Sequence, residues 1–219
     1  RITRDNLRIR DARFVDLVDR WFARQSLSSK HPVIVAPPPM FTPFRLRELT
    51  LVNRVVLAPA PLYSASDGVP TESHLEQLVP LAAGGAGLVL TELTAVSHEG
   101  RVTPDDTGMY SAAQMAGWKA IVDQVHGSSL AKIALRLGHA GRRGSTRPRR
   151  EGLDRPLSAG GWPLVSASPL PYTRGSLVPK EMDRADMEKV RDDFVGAARM
   201  AAEAGFDMLH LDFAHGYLL

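Results

Sequence analysis

Cysteine is absent from the sequence. That excludes a disulfide framework and any thiolate metal site, and a reducing cytoplasm is the compartment such a composition suits. No metal site is expected. Aromatic residues are sparse, at 6 %, and none is interleaved with the arginine cluster at 142–150, so a nucleic-acid-binding module is not expected. No apolar run comes near the ~18 residues of a membrane span. The first predicted strand is not followed by a GxGxxG turn, which counts against a dinucleotide-binding fold. The chain opens on Arg1 and stops at Leu219, directly after a polar turn, so it is expected to be a piece of a longer protein.

Hydrophobic residues make up 44 % of 219 positions, enough for one domain of ordinary size plus an appendage. The net charge of +3 is local in origin: Arg142, Arg143, Arg147, Arg149 and Arg150 crowd one loop. That cluster reads either as a solvated loop or as a contact for an anionic ligand or cofactor.

In residues 1–27, Phe14, Val15, Leu17, Val18, Trp21 and Phe22 recur at helical spacing after Asp11, a plausible N-cap. The Ser- and Pro-rich stretch 28–39 reads as a linker, and the domain proper spans 40–219. There the sequence alternates. Strands are predicted at Asn53–Pro59, Gly87–Glu92, Ala131–Leu137 and Asp207–Asp212, the last as a buried strand. Helices are predicted at Thr71–Ala83, at Ala112–His126 and from Asp183 to a terminating Gly205, with Asp186 completing a capping box. The third helix should bury Met187, Val190, Phe194, Ala198 and Ala201. A Gly/Pro/Arg-rich excursion fills 138–181.

Nearly continuous apolar strands alternating with helices indicate an α/β protein with a parallel sheet. A doubly wound sheet and a (β/α)8 TIM barrel both fit that alternation. In a barrel the working groups sit at the C-terminal ends of the strands, and the polar clusters at 59–63, 92–94, 136–139 and 212–217 all fall there. That convergence favours a barrel, of which only the first four βα units are present.

Four segments, NRVVLAPAPLYSASDG with PTESHL, GLVLTELTAVSHEGR, ALRLGHAGRRG and AGFDMLHLDFAHGYLL, stand in one order and spacing. Together they resemble the Old Yellow Enzyme family of FMN-dependent NAD(P)H:flavin oxidoreductases. The N-terminal helix and the excursion resemble more narrowly the bifunctional salicylyl-CoA 5-hydroxylase/oxidoreductase type, in which an FAD monooxygenase precedes the barrel. Residues 1–27 would then be the tail of that upstream domain, and FAD would belong only there.

The resemblance implies roles. The backbone of Ala58, Pro59, Ala60 and Pro61 would pass against the flavin, and Leu93 would offer a main-chain N–H to it. Pro61 stands where one branch of the family has a cysteine. Arg136 takes the place of a glutamine that pairs with flavin N3 and O2; an arginine donates to O2 but cannot accept from N3–H. Tyr63, Asp212 and His215 would face the substrate, and His215 and Tyr217 would carry the chemistry. His215 would hold a substrate carbonyl while Tyr217 protonates the adjacent carbon. Asp212 replaces a usual histidine. Since an ionised carboxylate only accepts hydrogen bonds, Asp212 either stays protonated, or orients His215, or marks a changed substrate, and the second is the preferred expectation.

The reaction implied is hydride passage from NAD(P)H through FMN to an activated C=C or conjugated carbonyl compound. The partners would be a small-molecule substrate, with an aromatic acyl-CoA suggested by the arginine loop, and a second copy of the chain. The competing reading is a truncated, non-catalytic fragment. An aldolase-like barrel is disfavoured because no strand-end lysine appears, Lys132 opening its strand at the other rim. His139 and Glu92 read as structural braces, His74 as surface or helix packing, and Trp21, Trp118 and Trp162 as packing.

Overall fold

The computed structural model describes residues 2–26, 36–152 and 154–219, without the side chains of Ser26 and Arg149. Most of the expected linker 28–39 lies outside the described residues. The chain starts with two helices, α1 (Arg4–Arg10) and α2 (Ala12–Ser26), where one was expected. Thr3 supplies the extra start, its side chain accepting from the Asn6 N–H at 3.2 Å. Asp11 sits at the joint and caps α2, its Oδ1 accepting from the Phe14 N–H at 2.9 Å. The expected inward face is only partly inward: Val15 and Ala23 are buried, but Phe14, Leu17 and Trp21 are exposed. Trp21 packs edge-on against the neighbouring Phe22 ring, 4.9 Å between centroids, with its other side exposed. The Arg54 guanidinium lies 5.1 Å from the Phe22 ring and 5.0 Å from the Phe44 ring, which ties α2 to the start of the barrel.

An antiparallel hairpin follows, β1 (Phe44–Leu46) and β2 (Leu49–Leu51). Three-residue strands are too short to show a periodicity, and the sequence does not reveal it. Leu51 packs with Leu88, Leu90 and Ala134, filling the N-terminal end of the inner sheet face.

The main sheet is made by β3 (Val56–Leu57), β4 (Leu88–Ala95), β5 (Lys132–Gly138) and, after α5, a fourth strand. Between them run α3 (Glu72–Ala83) and α4 (Ala112–Ser128). The excursion contributes a small parallel pair that was not foreseen, β6 (Val165–Ser166) and β7 (Lys180–Glu181). It leads into α5 (Arg184–Ala204) and β8 (Met208–Leu211). The order is β3-β4-β5-β8, every pair parallel. Helices between successive strands return the chain to the same end, which parallel pairing requires.

The period of two sorts the strand residues into layers. Val89, Ile133, Leu135 and Leu137 pack outward against Trp118, Ile121, Val122, Val125, Ala197 and Ala201 of the helices. Leu88, Leu90, Ala134 and Met208 face inward.

Three expectations need correction. The first strand is two residues rather than Asn53–Pro59, because neighbouring groups bond elsewhere: the Arg54 N–H to Met40 and the Asn53 side chain to Gly85 and Val55. The last strand is not fully buried: Leu209 is 38 % and Leu211 45 % exposed, since β8 has a described neighbour on one side only. In α5 the buried stripe is Val190, Ala197, Ala201 and Ala204, while Met187 is exposed. The caps hold as expected, with reciprocal Asp183–Asp186 bonds at the start and Gly205 at φ 90° at the end.

Candidate active site

The strand ends on the C-terminal rim enclose a small cavity of about 50 Å³. Pro61 and Tyr63 reach it from beyond β3, Leu93 from β4 and Tyr217 from the turn after β8, together with Glu92, Val102 and Asp106. Ala58, Ala60 and Pro61 are exposed and Pro59 is half-buried along the same rim. A wider cleft of about 650 Å³ lies between α1, α2 and residues 36–38. None of the strand-end residues lines it.

Leu93, Arg136 and His210 stand opposite one another in the register of β4, β5 and β8. The β4 ladder shifts register between Leu90 and Leu93, and the Arg136 N–H bonds to Thr91 Oγ1 at 3.0 Å instead of to a strand carbonyl. Beyond this row, Arg136 Nη2 donates to Asp212 Oδ2 at 2.5 Å, and the Ala214 N–H donates to Asp212 Oδ1 at 3.2 Å. Asp212 therefore does not orient His215, as had been expected. It leaves β8 beside Arg136, whereas His215 comes three residues later, after the chain has left the sheet.

His215 is exposed and adopts φ 63°. Its ring lies edge-on to Tyr217, 6.2 Å between centroids. The turn is strapped by Arg143, which the sequence offered only as a member of the arginine cluster. Arg143 Nη1 donates to the His215 carbonyl at 2.6 Å, and its Nη2 reaches both oxygens of Asp154 at 2.9 and 3.2 Å. Its guanidinium lies 4.3 Å from the Tyr172 ring and 5.1 Å from the Tyr217 ring. Burial raises the Tyr217 pKa, with Arg143 pulling the other way, so the phenol holds its proton at neutral pH. Arg143 is thus engaged within the chain, as is Arg150, which bonds to Asp105 and to the Tyr63 carbonyl. Arg142 and Arg147 have no carboxylate partner among the described residues. The arginine loop is more strap than open anion site.

Glu92 is 5 % and His74 1 % exposed. Glu92 Oε2 accepts from the Leu62 N–H at 2.7 Å and Oε1 meets His74 Nε2 at 3.2 Å. His74 Nδ1 accepts from the Thr71 N–H at 3.0 Å, which fixes the proton on Nε2. His74 is therefore an interior brace rather than a surface residue, and Glu92 anchors backbone as expected. His139 also braces its loop. Its Nδ1 accepts from the Gly141 N–H at 3.1 Å and its carbonyl from the Leu218 N–H at 3.0 Å. Gly141, at φ 57°, is needed there, since a Cβ would sit 2.8 Å from the Leu218 backbone. Lys132 bonds to Asp207 at the opposite rim, at 2.9 Å.

A parallel βα sheet with its polar groups gathered beyond the C-terminal strand ends is the N-terminal part of a (β/α)8 barrel built for a site on that rim. Comparison with known proteins carries this further. Residues 39–219 match the model of the NADH:flavin oxidoreductase / NADH oxidase family, and the chain belongs to that family. It is 39 % identical over 185 residues to an NADH:flavin oxidoreductase of Gibberella zeae, covering 82 % of this chain and 45 % of that relative. To an NADPH dehydrogenase of Listeria monocytogenes it is 36 % identical over 182 residues, covering 82 % and 49 %. Among solved structures, morphinone reductase superposes with a TM-score of 0.68 at 30 % identity, covering 82 % of this chain and 49 % of that one. The old yellow enzyme homologue from Zymomonas mobilis gives the same values. The chain thus spans about half the length of the curated relatives it matches.

Proposed function

We propose that these residues form the N-terminal half of the barrel of an FMN-dependent oxidoreductase that takes hydride from NAD(P)H and delivers it to an activated C=C or conjugated carbonyl compound. The observation that carries this is the cavity at the rim, where Pro61, Tyr63, Leu93 and Tyr217 meet from three strand ends. The residues present fit a flat, oxygen-rich ring system. Residues 58–61 give a largely exposed, apolar rim, and Arg136 Nε is buried with no hydrogen-bond partner, a donor left for an acceptor oxygen. FMN, when bound, would supply the hydride chemistry, and the protein supplies placement and electrostatics. Ala58–Pro61, Leu93 and Arg136 would hold the ring. Tyr217, kept protonated by burial, would give its proton to the carbon next to the reduced position. His215 would orient the substrate carbonyl, with Tyr63 on the facing wall.

Residues 1–27 as the tail of an upstream FAD monooxygenase would account for the apolar side chains that α1 and α2 leave exposed, Ile9, Phe14, Leu17 and Trp21, and for Ile2 just before them. The reading as a non-catalytic fragment is favoured by the two flanks of the sheet, where Val56, Leu209 and Leu211 are exposed. A covering half, from the same or another chain, removes that objection. An acyl-CoA substrate keeps only Arg142 and Arg147 as support.

Titration of FMN with the full-length protein, followed by quenching of flavin fluorescence, tests the cofactor. Stoichiometric quenching and NAD(P)H oxidation accelerated by an enone acceptor are expected. Absence of FMN binding would overturn the proposal, and quenching without NAD(P)H oxidation would favour the non-catalytic reading.

A further inference from the structure

Two oppositely charged side chains meet at the rim. Arg136 belongs to the inward row of β5, and Asp212 follows β8 directly. They touch at 2.5 Å, and Asp212 is 4 % exposed. Both carboxylate oxygens are occupied within the chain, one by Arg136 and one by the Ala214 N–H. Arg136 is not satisfied in the same way, since its Nε is buried without a partner. In the same row His210, opposite Arg136, carries a second buried unpartnered atom, Nδ1. A buried donor left without a partner is costly, and a charged one more so, so the row has the properties of a place kept for a ligand acceptor.

We propose that Arg136 and Asp212 act as one unit in which Asp212 is a positioning residue. It anchors one arm of the Arg136 guanidinium so that the Nε–H is presented to an acceptor oxygen of the bound cofactor, and it does not hold the substrate. The inference rests on the FMN reading given above. Its physical basis is the planar fork of arginine: fixing one nitrogen fixes the direction of the others. The pairing also removes an electrostatic difficulty. A lone carboxylate here would oppose negative charge developing on a substrate oxygen, whereas a paired one presents a dipole with its positive end toward the row.

The test is the FMN dissociation constant of the full-length protein, measured by fluorescence quenching in a double-mutant cycle. Asp212→Asn and Arg136→Met, which keeps the length of the side chain and removes its donors, are each expected to weaken FMN about tenfold, the worth of one charge-assisted hydrogen bond. Arg136→Lys should weaken it equally, since lysine keeps the charge and loses the fork. In the Arg136→Met background, Asp212→Asn should add no further loss. Should the asparagine variant fail to fold, Asp212→Glu serves, with the same dependence on Arg136. Equal weakening by Asp212→Asn in both backgrounds would overturn the proposal. So would unchanged FMN affinity with a raised KM for the enone. Wild-type protein that binds no FMN would instead overturn the cofactor reading, and this inference with it.

Discussion

Two buried carboxylates on the C-terminal side of the sheet, Glu92 within β4 and Asp212 just after β8, are each followed or faced by a histidine, yet they are different kinds of group. Glu92 ends a closed circuit: its two oxygens go to the Leu62 N–H and to His74, and His74 in turn caps α3 through Thr71. Nothing in that circuit is left over. Asp212 is equally buried, but its partner Arg136 keeps a buried nitrogen unpaired, and the neighbouring His215 is exposed. Residue type does not separate a brace from a working group. Between these two carboxylates, the difference lies in whether the hydrogen-bonding capacity of the partner has been used up.

The comparison is most sharply tested on its open side. Tyr217→Phe should slow reoxidation of the reduced flavoprotein by an enone about 10²–10⁴-fold, the usual worth of general acid catalysis, with FMN affinity unchanged. Stopped-flow absorbance would measure it, and an unchanged rate would remove Tyr217 as the proton donor. On the closed side, Glu92→Ala should cost about 2–4 kcal/mol of stability, because it strands the Leu62 N–H and His74 in the interior. Denaturant titration reads this. Preserved stability with lost turnover would reverse the assignment of Glu92 as a brace.

Arg143→Ala should cost about 1–3 kcal/mol, having removed charged hydrogen bonds to Asp154 and His215. It should also increase protease cleavage near residues 212–217, where the strap is lost. An unchanged cleavage pattern would mean the turn holds itself.

The smallest net effect is in pH. Burial lowers the His139 pKa from 6.5 to about 4, so the folded state resists a proton the unfolded chain accepts. Stability from this group falls as pH drops from about 6.5 to 4. Burial raises the Asp106 pKa from 3.8 to about 6, so the folded state takes its proton first and stability from this group rises over nearly the same interval. Each contribution is about 3 kcal/mol, of opposite sign, and the pair should leave stability nearly flat between pH 6 and 4. Asp106→Asn should unmask the His139 loss. A profile that stays flat in that variant would show that His139 titrates normally.

Much of the fold was legible because its signals are local. The runs at 87–92 and 131–137, the Asp183–Asp186 box and Gly205 mark their elements within a few residues of where the structure has them. The parallel sheet and the gathering of polar groups on one rim follow from strand and helix alternation. The hairpin Phe44–Leu51 and the pair β6–β7 were not legible, since two or three residues carry no period. The exposed side of α2 was missed for another reason: periodicity marks an apolar face but does not name what covers it.

The candidate site divides along the same line. That an acid, an imidazole and a phenol stand within six residues after the fourth strand is a property of the sequence, as is the arginine in the preceding one. Their pairings are not. Arg136 and Asp212 are 76 positions apart, and Arg143 and the His215 carbonyl 72. Each contact depends on the stagger of parallel strands and on where a long excursion folds back. Local pattern determined which chemical groups reach the rim, because strand and helix periods are written in neighbouring residues. Only the tertiary structure decided which of them neutralise one another and which keep a bond to give, because that depends on distances set by register across the sheet.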